Sequence, residues 1–328
     1  DFGRTDGYHR FCNKLWNAAQ YVFTQLSKAT SPTATPGARE GEREQTAADR
    51  WIRARLKRCI EDVHAGFASY RFDLVTQALY EFTWYEFCDW YLELTKPVLA
   101  DGATSVAAQA ARATLTDVLG ALLRLLHPLI PFITEELWLE LCRQRGASSA
   151  TVMLERFPEG DDFAADAEAV AEVEWLKAFI VAIRQIRAEM NVSPGKPLPV
   201  KLAGADATDR ERVVSNRQFI ERLGRVSDIE LIDDNVVVRG AATALLGEMR
   251  ILVPLAGLID VGAETARLDK QLARTSKELE ACRRKLDNAN FVNNAPPEVI
   301  AKERDRAAEL MVRSDQLNVQ LARIRELV

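Results

Sequence analysis

Two runs of apolar residues near the C-terminus repeat with the spacing of a coiled coil, and no other feature limits the fold as tightly. Leu268, Leu272, Thr275, Leu279, Cys282, Leu286 and Ala289 alternate steps of four and three. After the breaker Asn293-Asn294-Ala295-Pro296-Pro297, the series Ile300, Glu303, Ala307, Leu310, Ser314, Leu317, Leu321, Ile324 and Val328 does the same. Such a period keeps an apolar seam on one side of a helix, where it is buried only against a second helix of the same kind. Two helices of similar length around a Pro-Pro break predict an antiparallel coiled-coil hairpin over 262–328.

Upstream, helical periodicity predicts a bundle over 1–160. Its first helix runs from Asp6 to about Ser27, with Phe11, Leu15, Ala18, Val22 and Leu26 turned inward. Residues 30–45 mix turn formers and charges without a period, which predicts a loop. Thr46 followed by Asp49 reads as a capping box opening a helix to about Ser69. Asp73 is the expected cap of a third helix ending before Pro97; further helices are expected over Ala103–Leu126 and Thr134–Arg143.

A small α/β unit is expected over 161–261, entered through a long helix from about Asp166 to Met190. Its strands are expected at Leu198–Leu202, Ile229–Ile232, Val236–Val238 and Met249–Pro254, with one helix from Thr208 to Leu223. The fold class is therefore mainly α: a helical bundle, a small α/β domain and a coiled-coil hairpin.

The five cysteines are scattered and the three histidines have no neighbour at ligand spacing, so neither a disulfide framework nor a metal site is expected. That usage fits a reducing cytoplasm. No apolar run approaches the ~18 residues of a membrane span. The net charge of −5 at first argues against a polyanionic partner. However, Glu155–Glu174 alone carries −7, which leaves the remainder at +2, and phosphate contact depends on local charge.

Three surfaces stand out. On the first helix Arg10, Lys14, Asn17 and Tyr21 share a face about 120° from the buried stripe, with Asn13 between the two. Cations, an amide and an aromatic plane are what single-stranded RNA uses, although a solvated face with an incidental tyrosine has the same pattern. The third helix packs seven aromatics between Tyr80 and Tyr91. Tyr80, Trp84, Phe87 and Tyr91 are the expected core stripe, leaving Tyr85, Cys88, Asp89 and Leu92 either as a shallow pocket or as further core. On the arm, Arg283, Arg284 and Lys285 would lie near Arg304 and Arg306, with Arg313 further along. These are outer coiled-coil charges or a grip on a nucleic-acid backbone.

The strings Phe11–Val22 (FCNKLWNAAQYV), Glu86–Leu99 (EFCDWYLELTKPVL) and Leu125–Trp138 (LLHPLIPFITEELW) resemble the anticodon-binding domain of class I aminoacyl-tRNA synthetases for branched aliphatic amino acids. Ile183–Lys196, Val253–Leu272 and Leu286–Arg304 are similar to the valyl family in particular. The resemblance implies a valine tRNA as partner, rather than DNA or membrane, and a monomer. It implies anticodon contacts from Arg10, Lys14, Asn17, Tyr21, Tyr85, Cys88, Asp89 and Leu92, with Tyr21 stacking and Cys88 and Leu92 as an apolar floor. Arg283, Arg284, Lys285, Arg306 and Arg313 would meet the tRNA elbow. The family's HIGH and KMSKS signatures do not occur here. The chain is thus expected to begin after the catalytic core and the editing domain, with no catalytic residue of its own and with ATP and magnesium serving the absent catalytic part. An isoleucyl or leucyl relative and a helical protein-interaction module remain the alternatives.

Overall fold

The computed structural model describes residues 2–28, 45–100, 105–258, 261–288, 291 and 296–325. Most of the loop expected over 30–45 and the hairpin turn at 293–295 lie outside them. The chain divides into two compact units, Asp1–Lys177 and Ala178–Val328.

The first unit is all helical among the described residues. Helix α1 (Phe2–Ser27) buries Leu15, Ala18, Val22 and Leu26 as its spacing predicts, with Ala19 beside them, but Phe11, expected on the same stripe, is only half-buried. Helix α2 (Ala47–Ala68) opens on the expected reciprocal cap. Thr46 Oγ1 accepts the Asp49 amide at 3.2 Å, and Asp49 Oδ2 accepts the Thr46 amide at 3.0 Å. Helix α5 (Val106–Leu126) forms the middle of the bundle, buried on nearly every side. Helices α1, α2 and α6 (Pro131–Gln144) pack around it. Arg112, buried in α5, donates to the Gln25 carbonyl at 3.1 Å and so satisfies an open carbonyl at the end of α1.

The third helix departs from its expectation in three ways. It starts at α3 (Phe72–Glu81) with Arg71, not Asp73, in the cap position and no side-chain cap bond; Asp73 instead pairs with Arg71 at 2.6 Å. It continues past Pro97, which lies buried inside α4 (Leu92–Ala100), where packing of Leu94, Thr95 and Pro97 offsets the missing amide donor. Between the two, Phe82–Tyr91 is a π-helix. Its wider turn bonds each residue to the fifth along instead of the fourth, so residues five apart share a face. Phe82 and Leu92 accordingly join Thr83, Phe87 and Tyr91 on the inward face, where all five are buried.

Helix α7 (Ala167–Glu189) runs on into the second unit. That unit holds a four-stranded sheet in the order β2-β1-β4-β3. Strand β1 (Leu198–Ala203) runs parallel to β2 (Val226–Leu231) and antiparallel to β4 (Met249–Pro254), which also pairs antiparallel with β3 (Ala241–Leu246). The strand expected at Val236–Val238 is not one; β3 follows it, joined to β4 through Gly247–Glu248 with Gly247 at φ 60°. A two-residue hairpin needs that left-handed backbone, and Ala241–Leu246 gains its place from pairing rather than from any strong alternation of its own. The single helix expected over Thr208–Leu223 is two, α8 (Ala207–Ser215) and α9 (Arg217–Gly224), parted at Asn216, whose amide side chain returns to the Arg212 carbonyl at 3.0 Å.

Helices α10 (Val261–Leu286) and α11 (Pro297–Arg325) pack along each other as the heptads predict. Leu268, Leu317 and Leu321 form one buried cluster with Leu272 against it; Leu279, Cys282 and Leu310 form a second, joined by Ala307. The polar seam position Glu303 is half-buried and reaches Lys285 at 3.1 Å, which holds its carboxyl below the ordinary range. No described helix is long and apolar enough to cross a membrane.

Candidate nucleic-acid interface

The π-helical segment meets α1 through a ladder of rings. Phe11 stacks on Tyr80 with centroids 5.4 Å apart, and Tyr80 stacks on Trp84 at 5.6 Å. Tyr85 meets Tyr80 edge-on at 6.1 Å. Phe87 and Tyr91 are buried as expected, but Tyr80 is 39% exposed and Trp84 only half-buried, so the stripe does not lie wholly in the core. A helical wheel at the ordinary pitch places Tyr80 and Trp84 with Phe87 and Tyr91. The wider π turn rotates the later residues away and leaves the first two at the rim, beside Tyr85 at 52% exposure.

Lys14 lies over this rim. Its ammonium is 3.8 Å from the Trp84 ring centroid and 2.5 Å from Asp89 Oδ1. The Lys14 charge is thus already shared between a π face and a carboxylate. Arg10 and Asn17 are exposed on the same side of α1. Tyr21 is half-buried and its hydroxyl meets Thr95 Oγ1 at 3.0 Å, which holds the ring in place. Cys88 is half-buried, and burial pushes its thiol up to about 12, against the lowering pull of Lys14. A neutral thiol is an apolar contact and a weak donor, not a nucleophile. Leu92 faces inward with Phe87, so of the expected floor Cys88 is the part that reaches the surface. The structure therefore groups Lys14, Cys88, Asp89 and Tyr85 with Tyr80 and Trp84, two rings that helical spacing had assigned to the interior. The density of aromatics around that helix was the one hint of their exposure.

On the arm, Arg283, Arg284, Lys285, Arg304, Arg306 and Arg313 are all exposed. Lys285 pairs with Glu303, Arg284 lies 3.7 Å from Glu280, and Arg306 lies 4.0 Å from Glu278. Arg283 donates to the Met311 sulfur at 3.6 Å. Among the described residues Arg283, Arg304 and Arg313 have no carboxylate partner. Contacts from Arg283 to Met311 and from Lys285 to Glu303 bring the two basic groups onto one stretch of the hairpin, as antiparallel pairing requires.

Two families match the chain: the anticodon-binding domain of tRNA ligase over residues 49–202, and the valyl tRNA synthetase tRNA binding arm over residues 260–325. A valine–tRNA ligase of Xylella fastidiosa strain M23 is 44% identical over 319 residues, 94% of this chain and 32% of the relative. The valine–tRNA ligase of strain Temecula1 is similar to the same extent. The chain spans about a third of the length of these curated relatives.

Proposed function

Because the chain belongs to the valyl-tRNA synthetase family, matching its anticodon-binding domain and its tRNA-binding arm, we propose that it grips tRNA at two places. The anticodon loop meets the rim formed by Lys14, Tyr21, Tyr85, Cys88 and Asp89, flanked by Arg10 and Asn17. The tRNA elbow meets Arg283, Arg284, Lys285, Arg306 and Arg313 on the arm. The observation that carries the reading is the half-open ladder of Tyr80, Trp84 and Tyr85 beside the Lys14 ammonium. Rings with an accessible face stack on unpaired bases, and a cation beside them attracts the adjoining phosphate.

In this reading base contacts select the tRNA and the arm's phosphate contacts set its register. The partner is the valine isoacceptor, and the bound RNA presents its acceptor end to the catalytic part of the complete ligase. That part joins valine to tRNA with ATP and magnesium; this chain contributes grip and no reacting group. It acts as a monomer in the cytoplasm.

Binding to a panel of purified tRNAs tests the proposal. Valine tRNA should bind most tightly. Equal affinity for isoleucine and leucine tRNAs would remove the valine assignment. Failure to bind any tRNA, with self-association on gel filtration, would favour a helical interaction module instead.

A further inference from the structure

The stretch Ile183–Lys196 resembles the family yet belongs to neither surface above, and two of its three cations, Arg187 and Lys196, are used in an unusual way. Arg187 is buried at the end of α7. Its Nη1 donates to the Ser193 and Lys196 carbonyls at 2.8 and 2.7 Å, and its Nη2 to the Gly224 and Arg225 carbonyls at 3.2 and 3.4 Å. Lys196 extends the set, its Nζ donating to the Gly257 carbonyl at 2.9 Å and the Leu258 carbonyl at 2.6 Å. Among the described residues neither cation has a carboxylate partner.

These six bonds connect segments far apart in sequence. Ser193–Lys196 is the loop before β1; Gly224 and Arg225 are the corner between α9 and β2. That corner carries a left-handed non-glycine residue, Arg225 at φ 53°, a conformation that needs outside support. Leu255–Leu258 is a turn closed by the Leu258 amide on the Leu255 carbonyl at 3.0 Å, with Gly257 at φ 72°. It is the last described turn before the arm helix α10 begins at Val261. A guanidinium presents its donors in a fixed fork, so four carbonyls gathered on one fork are fixed relative to one another.

We infer that Arg187 and Lys196 anchor the root of the coiled-coil arm to the small sheet and so set the direction in which the arm meets RNA. The inference rests on the proposal that the arm binds tRNA. Using backbone carbonyls as acceptors has two consequences. The anchor contains no acid to titrate, and it places no negative charge where a polyanion must approach. Lys196 is a positioning residue: it acts through the arm and touches no RNA.

Lys196→Met in the full 328-residue chain, compared with Lys196→Arg, tests this. Valine tRNA affinity is measured in the native background and in one where Arg283, Arg284 and Lys285 are changed to Gln. Lys196→Met should weaken binding roughly 5- to 10-fold in the native background, the size of one ordinary net hydrogen bond. It should have little effect where the arm is already neutralised, and Lys196→Arg should restore most of the loss. An equal loss in both backgrounds, or no loss in the native one, overturns the anchor. A neutralised arm that binds as well as the native one overturns the tRNA-binding role of the arm itself. A second readout needs no RNA. Spin labels at Thr243→Cys on β3 and Lys277→Cys on α10, with Cys12 and Cys88 changed to Ser, should give a narrow distance distribution that broadens in Lys196→Met. A distribution equally narrow in both would show that Lys196 does not hold the arm.

Discussion

The Tyr91 hydroxyl donates to Asp49 Oδ1 at 2.6 Å, both groups fully enclosed, and so joins the cap of α2 to the last residue of the π-helical segment. The same carboxylate accepts from Thr46, which means one buried acid both opens a helix and holds the end of the irregular turn that shapes the aromatic rim. Tyr91→Phe leaves a carboxylate lone pair unmet and should cost about 1–3 kcal/mol in urea unfolding at neutral pH. An unchanged midpoint would show that the bond contributes nothing.

Asp49 also gives a signed pH dependence. Burial, outweighing its hydrogen bonds, raises this carboxyl above its ordinary 3.8. The native state therefore holds the proton more tightly than the unfolded chain. Its contribution to stability is greatest below the unfolded value and falls as pH climbs from about 3.8 through the raised native value. Asp49→Asn does not titrate there. The stability of the native chain relative to this variant should decline as pH rises across that window and then level off. A difference that grew with pH would contradict the direction of the shift.

Tyr21 separates stacking from hydrogen bonding. Tyr21→Phe keeps the ring and loses the hydroxyl that meets Thr95, so tRNA affinity should change little. Tyr21→Ala removes the ring and should weaken binding ~5- to 100-fold, the range for one stacked base. Equal affinities for the two variants, by filter binding, would take Tyr21 out of the interface.

The arm should govern the salt dependence. Every cation withdrawn from a phosphate lowers the slope of log affinity against log salt by about one. Changing Arg283, Arg284 and Lys285 to Gln should flatten that slope by roughly 1–3 while leaving the helical content unaltered, because all three are exposed. A slope that stays the same would place the arm off the RNA.

Cys88 should be a slow thiol. With its titration pushed up to about 12, little thiolate exists near neutrality, and alkylation of the folded protein should accelerate only as pH nears that value. Fast labelling under mildly alkaline conditions, read by mass spectrometry of the peptide, would contradict the burial of the Cys88 thiol.

Periodicity alone located the arm. Leu268, Leu279, Cys282, Leu310, Leu317 and Leu321 are buried because a repeat of about 3.5 residues leaves a helix no other way to hide them than a partner helix. The capping box at Thr46 and Asp49 was equally local and equally legible. The weak strand Ala241–Leu246 was not, since its place comes from pairing with Met249–Pro254, which no pattern within it announces.

The amino-acid order by itself determined which segments coil, where α2 starts and which residue types crowd the third helix. Only the tertiary structure decided which of those aromatics face out. Each turn of Phe82–Tyr91 widens by about one residue where the segment packs against α1 and α2, and no propensity written in the segment announces that pitch. A reading at the ordinary pitch therefore assigns Tyr80 and Trp84 to the wrong side, because their direction depends on the hydrogen bonds that the folded neighbours select.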